Sequence, residues 1–258
     1  MLRPKTRTLA LFPSIFPNFL TGQTPSHPNL HSIKMSSQTQ TQTIEHVVLF
    51  KVKENADPSQ VDAWLHALNG LISLDQVLHL SASSVFRNRT SSSLSFTHIL
   101  HSRYSSQNHL AAYSAHPNHV SVVKEYQPLI EDIMAVDWVF VADDLHVAPP
   151  PPGSAIRVTS LKLKDNLGDD VKAEILGGIK GIKDRFGEIS QFTFGENFSP
   201  GRAKGFSVAW LSVFPGRSEL EKVDGNEDLV ILEEKVRAFV ENEVVVDFVV
   251  PSPKSASV

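Results

Sequence analysis

The sequence predicts an α+β fold built twice, as two tandem units whose sheets pack face to face within one chain. Three observations point there. The run Pro149-Pro150-Pro151-Pro152-Gly153 favours extended backbone and separates residues 44–148 from 154–250, two segments of nearly equal length. The segments match in order and spacing. Lys51-Val52-Lys53-Glu54-Asn55 resembles Lys162-Leu163-Lys164-Asp165-Asn166 at an offset of 111, and Val136-Asp137-Trp138-Val139 resembles Val246-Asp247-Phe248-Val249 at an offset of 110. Each half also reads as strand, helix, two strands, helix, strand.

In half one, Ile44–Lys53 alternates, with Ile44, His46, Val48, Phe50 and Val52 on one face. Asp57-Pro58 supplies an N-cap and a proline at the first helical position. Val61, Trp64, Leu65, Leu68 and Leu71 follow at helical spacing, with Gly70 near the stop. Leu94, Phe96, His98 and Leu100 form the apolar face of a later strand, and Ser105 caps a helix through Tyr113. Another helical stretch runs to about Ile133, bent at Pro128, and Val136–Val141 closes the unit as a strand.

Half two repeats the plan. Ile156–Leu163 is its first strand, and Val171, Ile175, Ile179 and Ile182 make the helix stripe. Phe206–Phe214 and Val244–Val250 are later strands, with a long helix over Leu229–Val240. A four-stranded sheet covered by helices on one side leaves its other face apolar, and two such faces bury each other. Two tandem ferredoxin-like units therefore pack as an intrachain dimeric α/β barrel.

The segments outside the repeats are of another kind. Residues 1–43 contain no Asp or Glu and carry Arg3, Lys5, Arg7 and Lys34 among many Ser, Thr and Pro. This composition suits either a disordered leader or a transit peptide to plastid or mitochondrion, or else sequence upstream of a start at Met35 in a cytosolic protein. Residues 251–258 form a tail. Net charge is −4, which argues against nucleic-acid and anionic-membrane partners. Cysteine is absent, which excludes disulfides, thiolate metal sites and a thiol nucleophile. No apolar run approaches the roughly 20 residues of a spanning helix.

Histidine carries the sharpest chemical signal. Of 11 His, His27 and His31 lie in the leader, nine lie in half one, and half two has none. His46 and His98 fall on the apolar faces of strands that neighbour each other in a ferredoxin-like sheet, which would allow their rings to sit side by side. They are candidate ligand-binding residues, or core histidines satisfied by their surroundings. A second cluster is Tyr113-Ser114-Ala115-His116-Pro117-Asn118-His119. Pro117 keeps His116 out of the helical region, so one helix should end near Ala115 and another begin at Pro117. His119 then lies in a first helical turn, where the dipole lowers its pKa and favours a neutral base beside the Tyr113 hydroxyl. Tyr113 and His119 are thus candidate catalytic residues and His116 a further candidate for ligand binding. The alternative is a helix junction whose polar groups satisfy one another. His116-x-x-His119 with His46 and His98 could in principle ligate a metal. The cluster holds no Asp or Glu and the broken helix spoils a shared ligand face, so neither metal nor cofactor is expected.

At these residues the sequence resembles the stress-responsive dimeric α/β-barrel family of plants, in its two-domain form. The matching features are Glu45-His46-Val47-Val48-Leu49-Phe50-Lys51, Thr97-His98-Ile99, Tyr113-x-x-His116-Pro117-x-His119 and Val136-Asp137-Trp138. The resemblance implies a stress-response role with a small-molecule pocket in half one for an aromatic or polyketide-like ligand. A homodimer and a peroxisomal location are both compatible with it. One member, olivetolic acid cyclase, performs an intramolecular aldol condensation. Its catalytic Tyr and His fall on Tyr113 and His119, its strand histidines fall on His46 and His98, and a Tyr of its first helix falls on Leu68. The repeat maps His46, His98, Tyr113, His116 and His119 to Arg157, Val208, Val223, Asn226 and Leu229. Half two can therefore complete a barrel without repeating the chemistry.

Overall fold

The computed structural model describes residues 42–90, 94–141, 148–224, 226 and 234–252. The leader lies outside them, apart from Gln42 and Thr43, which already belong to the first strand. Half one runs β1 (Gln42–Val52), α1 (Pro58–Gly70), β2 (His79–Asn88), β3 (His98–Tyr104), α2 (Gln107–Ala115), α3 (Pro117–Tyr126) and β4 (Ile130–Val141). Half two runs β5 (Ala155–Leu163), α4 (Asp169–Lys180), α5 (Ile182–Arg185), β6 (Gln191–Glu196), β7 (Val208–Phe214), α6 (Arg217–Val223) and β8 (Val240–Val249).

Local chemistry explains most boundaries. The Asp57 side chain accepts the Ser59 amide and Pro58 opens α1. The cap of α2 is Ser106, one residue later than expected, and its hydroxyl accepts the His109 amide. α3 ends at Tyr126, because Pro128 cannot continue an α-helix and sits instead in a 3₁₀ turn, Gln127–Leu129. Ile130–Ile133, expected to be helical, therefore begin β4. Leu94 and Phe96 precede β3 rather than joining it, and Phe96 packs with the opposite face from Leu100. Of the helix expected over Leu229–Val240, residues 229–233 lie outside the described residues; 234–237 are helical, 238–239 are a turn and Val240 starts β8. The proline spacer ends in a tight turn. Ser154 N–H donates to the Pro151 carbonyl at 3.1 Å, with Pro152 and Gly153 at its centre. Gly153 has φ +86°, the left-handed conformation this turn needs at its third position.

The eight strands form one antiparallel sheet in the order β4-β1-β3-β2-β8-β5-β7-β6. β2 joins β8 across the halves through Val85↔Phe248, Arg87↔Asp247 and Asn88↔Val246. At the other seam β6 approaches β4 and nearly closes the barrel. The Phe198 amide donates to the Asp137 carbonyl at 3.0 Å, and the Asp137 amide donates to Asn197 Oδ1 at 2.9 Å. Gly195 permits the approach, since a Cβ there would meet Trp138 Cβ at 3.0 Å and the Val139 carbonyl at 3.1 Å.

Alternation along each strand makes three apolar layers. Val47, Leu49, Met134, Val136 and Trp138 meet Ile156, Val158, Leu211, Val246 and Phe248 inside the barrel. Ile44, Val48, Phe50, Leu100 and Tyr104 face outward beneath α1 and α2, against Trp64, Leu68, Leu110 and Tyr113. Half two repeats this outer layer with Ala155, Val208 and Phe214 against Ile175, Ile179 and Leu220.

The barrel interior also holds a charged group. The Glu45 carboxylate accepts His101 Nε2–H at 2.6 Å, Arg103 Nε–H at 3.0 Å and the Thr193 hydroxyl of half two at 3.0 Å. Arg103 Nη1 donates to the Ala148 carbonyl and to Gln191 of half two. Glu45 is 0% exposed. Burial alone would raise its pKa, but Arg103 and His101 hold it down to about 2. At the repeat offsets of 111 and 110, the positions equivalent to Glu45, His101 and Arg103 are Ile156, Leu211 and Val213, all apolar and buried.

Candidate functional site

The cluster of half one lies on the helix-facing side of the sheet, not inside the barrel. β1 directs His46 outward together with Ile44 and Val48 and pairs it with Asp137 on β4. His46 Nδ1 lies 2.5 Å from Asp137 Oδ1, with the two side chains 14% and 7% exposed. The Asp137 backbone is clasped by Asn197 and Phe198, so half two fixes the residue that orients His46.

Above this pair the α2–α3 junction supplies the rest. His116 precedes Pro117 and is extended, with φ −64° and ψ 133°. Its Nδ1 accepts the Asn118 amide at 3.2 Å, so the side chain is the N-cap of α3. The break leaves the Ser114 carbonyl available, and His119 Nδ1–H donates to it at 3.0 Å. With Nδ1 protonated, His119 Nε2 carries the lone pair. Burial lowers the His119 pKa most, the Ser114 hydrogen bond pulls it back part-way, and His46 and Arg202 add to the lowering. The expected direction holds, but burial dominates where helix polarity was expected to.

A line of rings joins the two groups. His46 and Tyr104 are 6.2 Å apart between centroids, Tyr104 and Tyr113 5.2 Å, and Tyr113 and His119 4.6 Å. Tyr104 and Tyr113 are 0% and 1% exposed, and burial pushes both hydroxyls well above the ordinary phenol value. Both phenols therefore stay protonated, and Tyr104 also meets the Ser102 hydroxyl at 3.0 Å. Such an arrangement can accept a proton at His119, donate or hold one at tyrosine, and bind an oxygen through an oriented His46.

His98 does not join this group. β1 pairs Phe50 with His98 and His46 with Ser102, so the two histidines stand four residues apart along the ladder, about 13 Å at strand rise. The expected side-by-side placement fails on register. His98 instead bonds Thr97 Oγ1 at 2.8 Å and meets Trp64 edge-on at 5.5 Å. Among the described residues no group of three or more His, Asp or Glu is arranged to hold a metal ion, and no helix is long and apolar enough to cross a membrane. Sequence reasoning missed Asp137 and Tyr104 as members of the site. Asp137 left one signal, its recurrence as Asp247 in the repeat.

The equivalent place in half two is built from permanent charge. Arg157, at the position of His46, donates Nε–H and Nη2–H to the two oxygens of Asp247, the counterpart of Asp137, at 2.8 and 3.0 Å. Arg157 Nη2 also reaches Asp224 at 2.7 Å. A cavity of about 180 Å³ opens beside Arg157.

Comparison with known proteins fits this architecture. The sequence model of the stress responsive A/B barrel domain matches residues 44–140 and again 156–250. A stress-response A/B barrel domain-containing protein of Arabidopsis thaliana is 50% identical over 88% of this chain and 86% of its own length. A second Arabidopsis thaliana protein of the same description is 44% identical over 81% of this chain and 97% of its own. Among solved structures, an anthrone oxidase-like protein superposes with a TM-score of 0.51 at 10% identity, covering 85% of this chain and 98% of that one, which is a likeness of fold. With two domain matches meeting at a shared barrel, this chain belongs to the stress-responsive A/B barrel domain family as a tandem two-domain member.

Proposed function

We propose that half one is the small-molecule site of a stress-response barrel protein, binding an aromatic or polyketide-like ligand through His46, Tyr113 and His119. The observation that most supports this is the file of rings from His46 to His119, fixed at one end by the 2.5 Å pair with Asp137. A file of edge-on and tilted aromatic rings suits a planar ligand, and the nitrogens and protonated phenols suit its carbonyl or hydroxyl oxygens. His116 contributes as the cap that sets the junction, and His98 stands outside the site.

A second reading rests on His119 and Tyr113. With Nδ1–H given to Ser114, its neutral Nε2 is able to take a proton α to a ligand carbonyl, while Tyr113 holds the enolate oxygen. The enolate carbon then attacks a second carbonyl of the same chain, forming the carbon–carbon bond of an intramolecular aldol reaction. The proton taken by His119 returns to the new alkoxide. The test uses the full chain, Tyr113→Phe and His119→Gln against aromatic and linear β-keto compounds. Thermal shift and NMR report binding, and product analysis reports turnover. Binding without conversion, weakened in both variants, supports the binding role. Conversion that disappears in His119→Gln while binding persists transfers the conclusion to the cyclase. Absence of binding, with variants that merely melt lower, defeats both.

A further inference from the structure

We infer that half two carries a separate ligand site, a cavity that takes a small single-ring monocarboxylate on Arg157 and Arg89. The cavity lies between the outer sheet face and the helices of half two. Its apolar wall is formed by Ile182, Phe186, Ile189 and Trp210. Its polar side is formed by Arg89, Arg157, Thr159 and Ser212. Size limits the guest: a dry cavity near 150 Å³ accommodates benzene, so about 180 Å³ holds one ring with a small substituent.

Charge selects the substituent. Arg87, Arg89 and Arg157 converge on Asp224 and Asp247, three permanent cations against two carboxylates. Arg157 is 6% exposed, and among the described residues its Nη1 has no hydrogen-bond partner while Nε and Nη2 are fully used. A buried guanidinium with an open donor beside a cavity is suited to a carboxylate oxygen. Arg89, 40% exposed in its side chain, pairs with Asp224 at 3.0 Å and more loosely with Asp247 at 3.7 Å, and turning from them lets it clasp the second oxygen. The Thr159 and Ser212 hydroxyls make no hydrogen bond among the described residues and offer further donors. Glu243, the acid among the described lining residues, already interacts with protein. Nothing here depends on the ring cluster of half one.

Benzoate is the probe, titrated calorimetrically into the full chain, with neutral, isosteric benzamide as its control. Benzoate should bind with Kd of about 1 mM or tighter, and benzamide at least ~10-fold more weakly. Arg89→Leu should lose about tenfold in benzoate affinity and Arg89→Lys should recover part of it. Ser212→Leu should fill the cavity and abolish binding, with far-UV circular dichroism confirming the fold of each variant. Amide NMR shifts should centre on Thr159 and Ser212. Equal binding of benzamide, no benzoate binding by the folded wild type, or shifts centred on Tyr113 and His119 would each overturn the assignment. If Ser212→Leu fails to fold, Arg89→Leu and the shift map still decide.

Discussion

Arg103→Met removes the permanent cation that keeps Glu45 ionised inside the barrel. Glu45 and Arg103 are 0% and 2% exposed, so the orphaned carboxylate cannot turn to water. It would stay buried on His101 and Thr193 alone or take up a proton. Breaking a buried pair on one side costs about 3–5 kcal/mol. The titration argument gives a similar figure. A carboxyl held at about 2 when folded and 4.5 when free contributes about 3–4 kcal/mol at neutral pH, at ~1.4 kcal/mol per unit. The sign is that of a depressed acid: the contribution is full above 4.5 and is lost as pH falls towards 2. For a body of this size ~1 kcal/mol moves Tm by about 2–4 °C, so Arg103→Met should melt on the order of 10 °C below wild type. Half two suggests the matching control. Glu45→Ile, His101→Leu and Arg103→Val together install the apolar set of its equivalent positions, and the triple variant should melt within a few degrees of wild type or above it. Heat denaturation followed by far-UV circular dichroism at pH 7 reads both. The reasoning is refuted if Arg103→Met melts with the wild type, or if the triple variant falls as far as the single one.

Acid should weaken the fold well before carboxylates titrate, because burial and the neighbouring His101 and Arg103 lower the His79 pKa to about 3. The unfolded chain takes up that proton near 6.5 and the folded chain does not, so stability is full above 6.5 and falls by ~1.4 kcal/mol per unit below it, about 2 kcal/mol by pH 5. Urea titrations across pH 7 to 4 should show this slope in wild type and a shallower one in His79→Leu; parallel slopes would count against it. Gly195→Ala should cost about 1–3 kcal/mol, because its Cβ would press on Trp138 and the Val139 carbonyl at the closing seam. Gly187→Ala, with nothing within 4 Å of its Cβ, is the control and should leave urea stability nearly unchanged. Asp57→Ala should cost about 1 kcal/mol by removing the cap of α1, read in the same denaturation assay.

Much of the candidate site could be read along the chain because it depends on short-range rules. Pro117 dictates the α2–α3 break, the break frees the Ser114 carbonyl, and His119 two residues beyond finds it. Other features depended on register. Whether His46 lies beside His98 or beside Ser102 is decided by how β1 slides against β3, and a strand pattern alone leaves that slide open. The error over Phe96 has a related cause: alternation was extended through residues that are not strand, so the face was assigned wrongly.

The charged group in the lumen escaped the sequence for a different reason. In β1 the residues Val47, Val48 and Leu49 are apolar at both parities, because one face meets helices and the other meets the second half. Alternation along β1 therefore does not mark Glu45 as buried, although it is 0% exposed inside the barrel. By itself the sequence determined the duplication, the Asp57 cap of α1, the junction at Pro117 and the one-sided store of histidine, since each follows from neighbours within a few residues or from the repeat itself. Tertiary structure alone decided the pairing of His46 with Asp137, the charged bridge from Glu45 to half two and the cavity beside Arg157. These depend on strand register and on the meeting of two sheets, which bring together side chains about 90 to 150 positions apart in the chain.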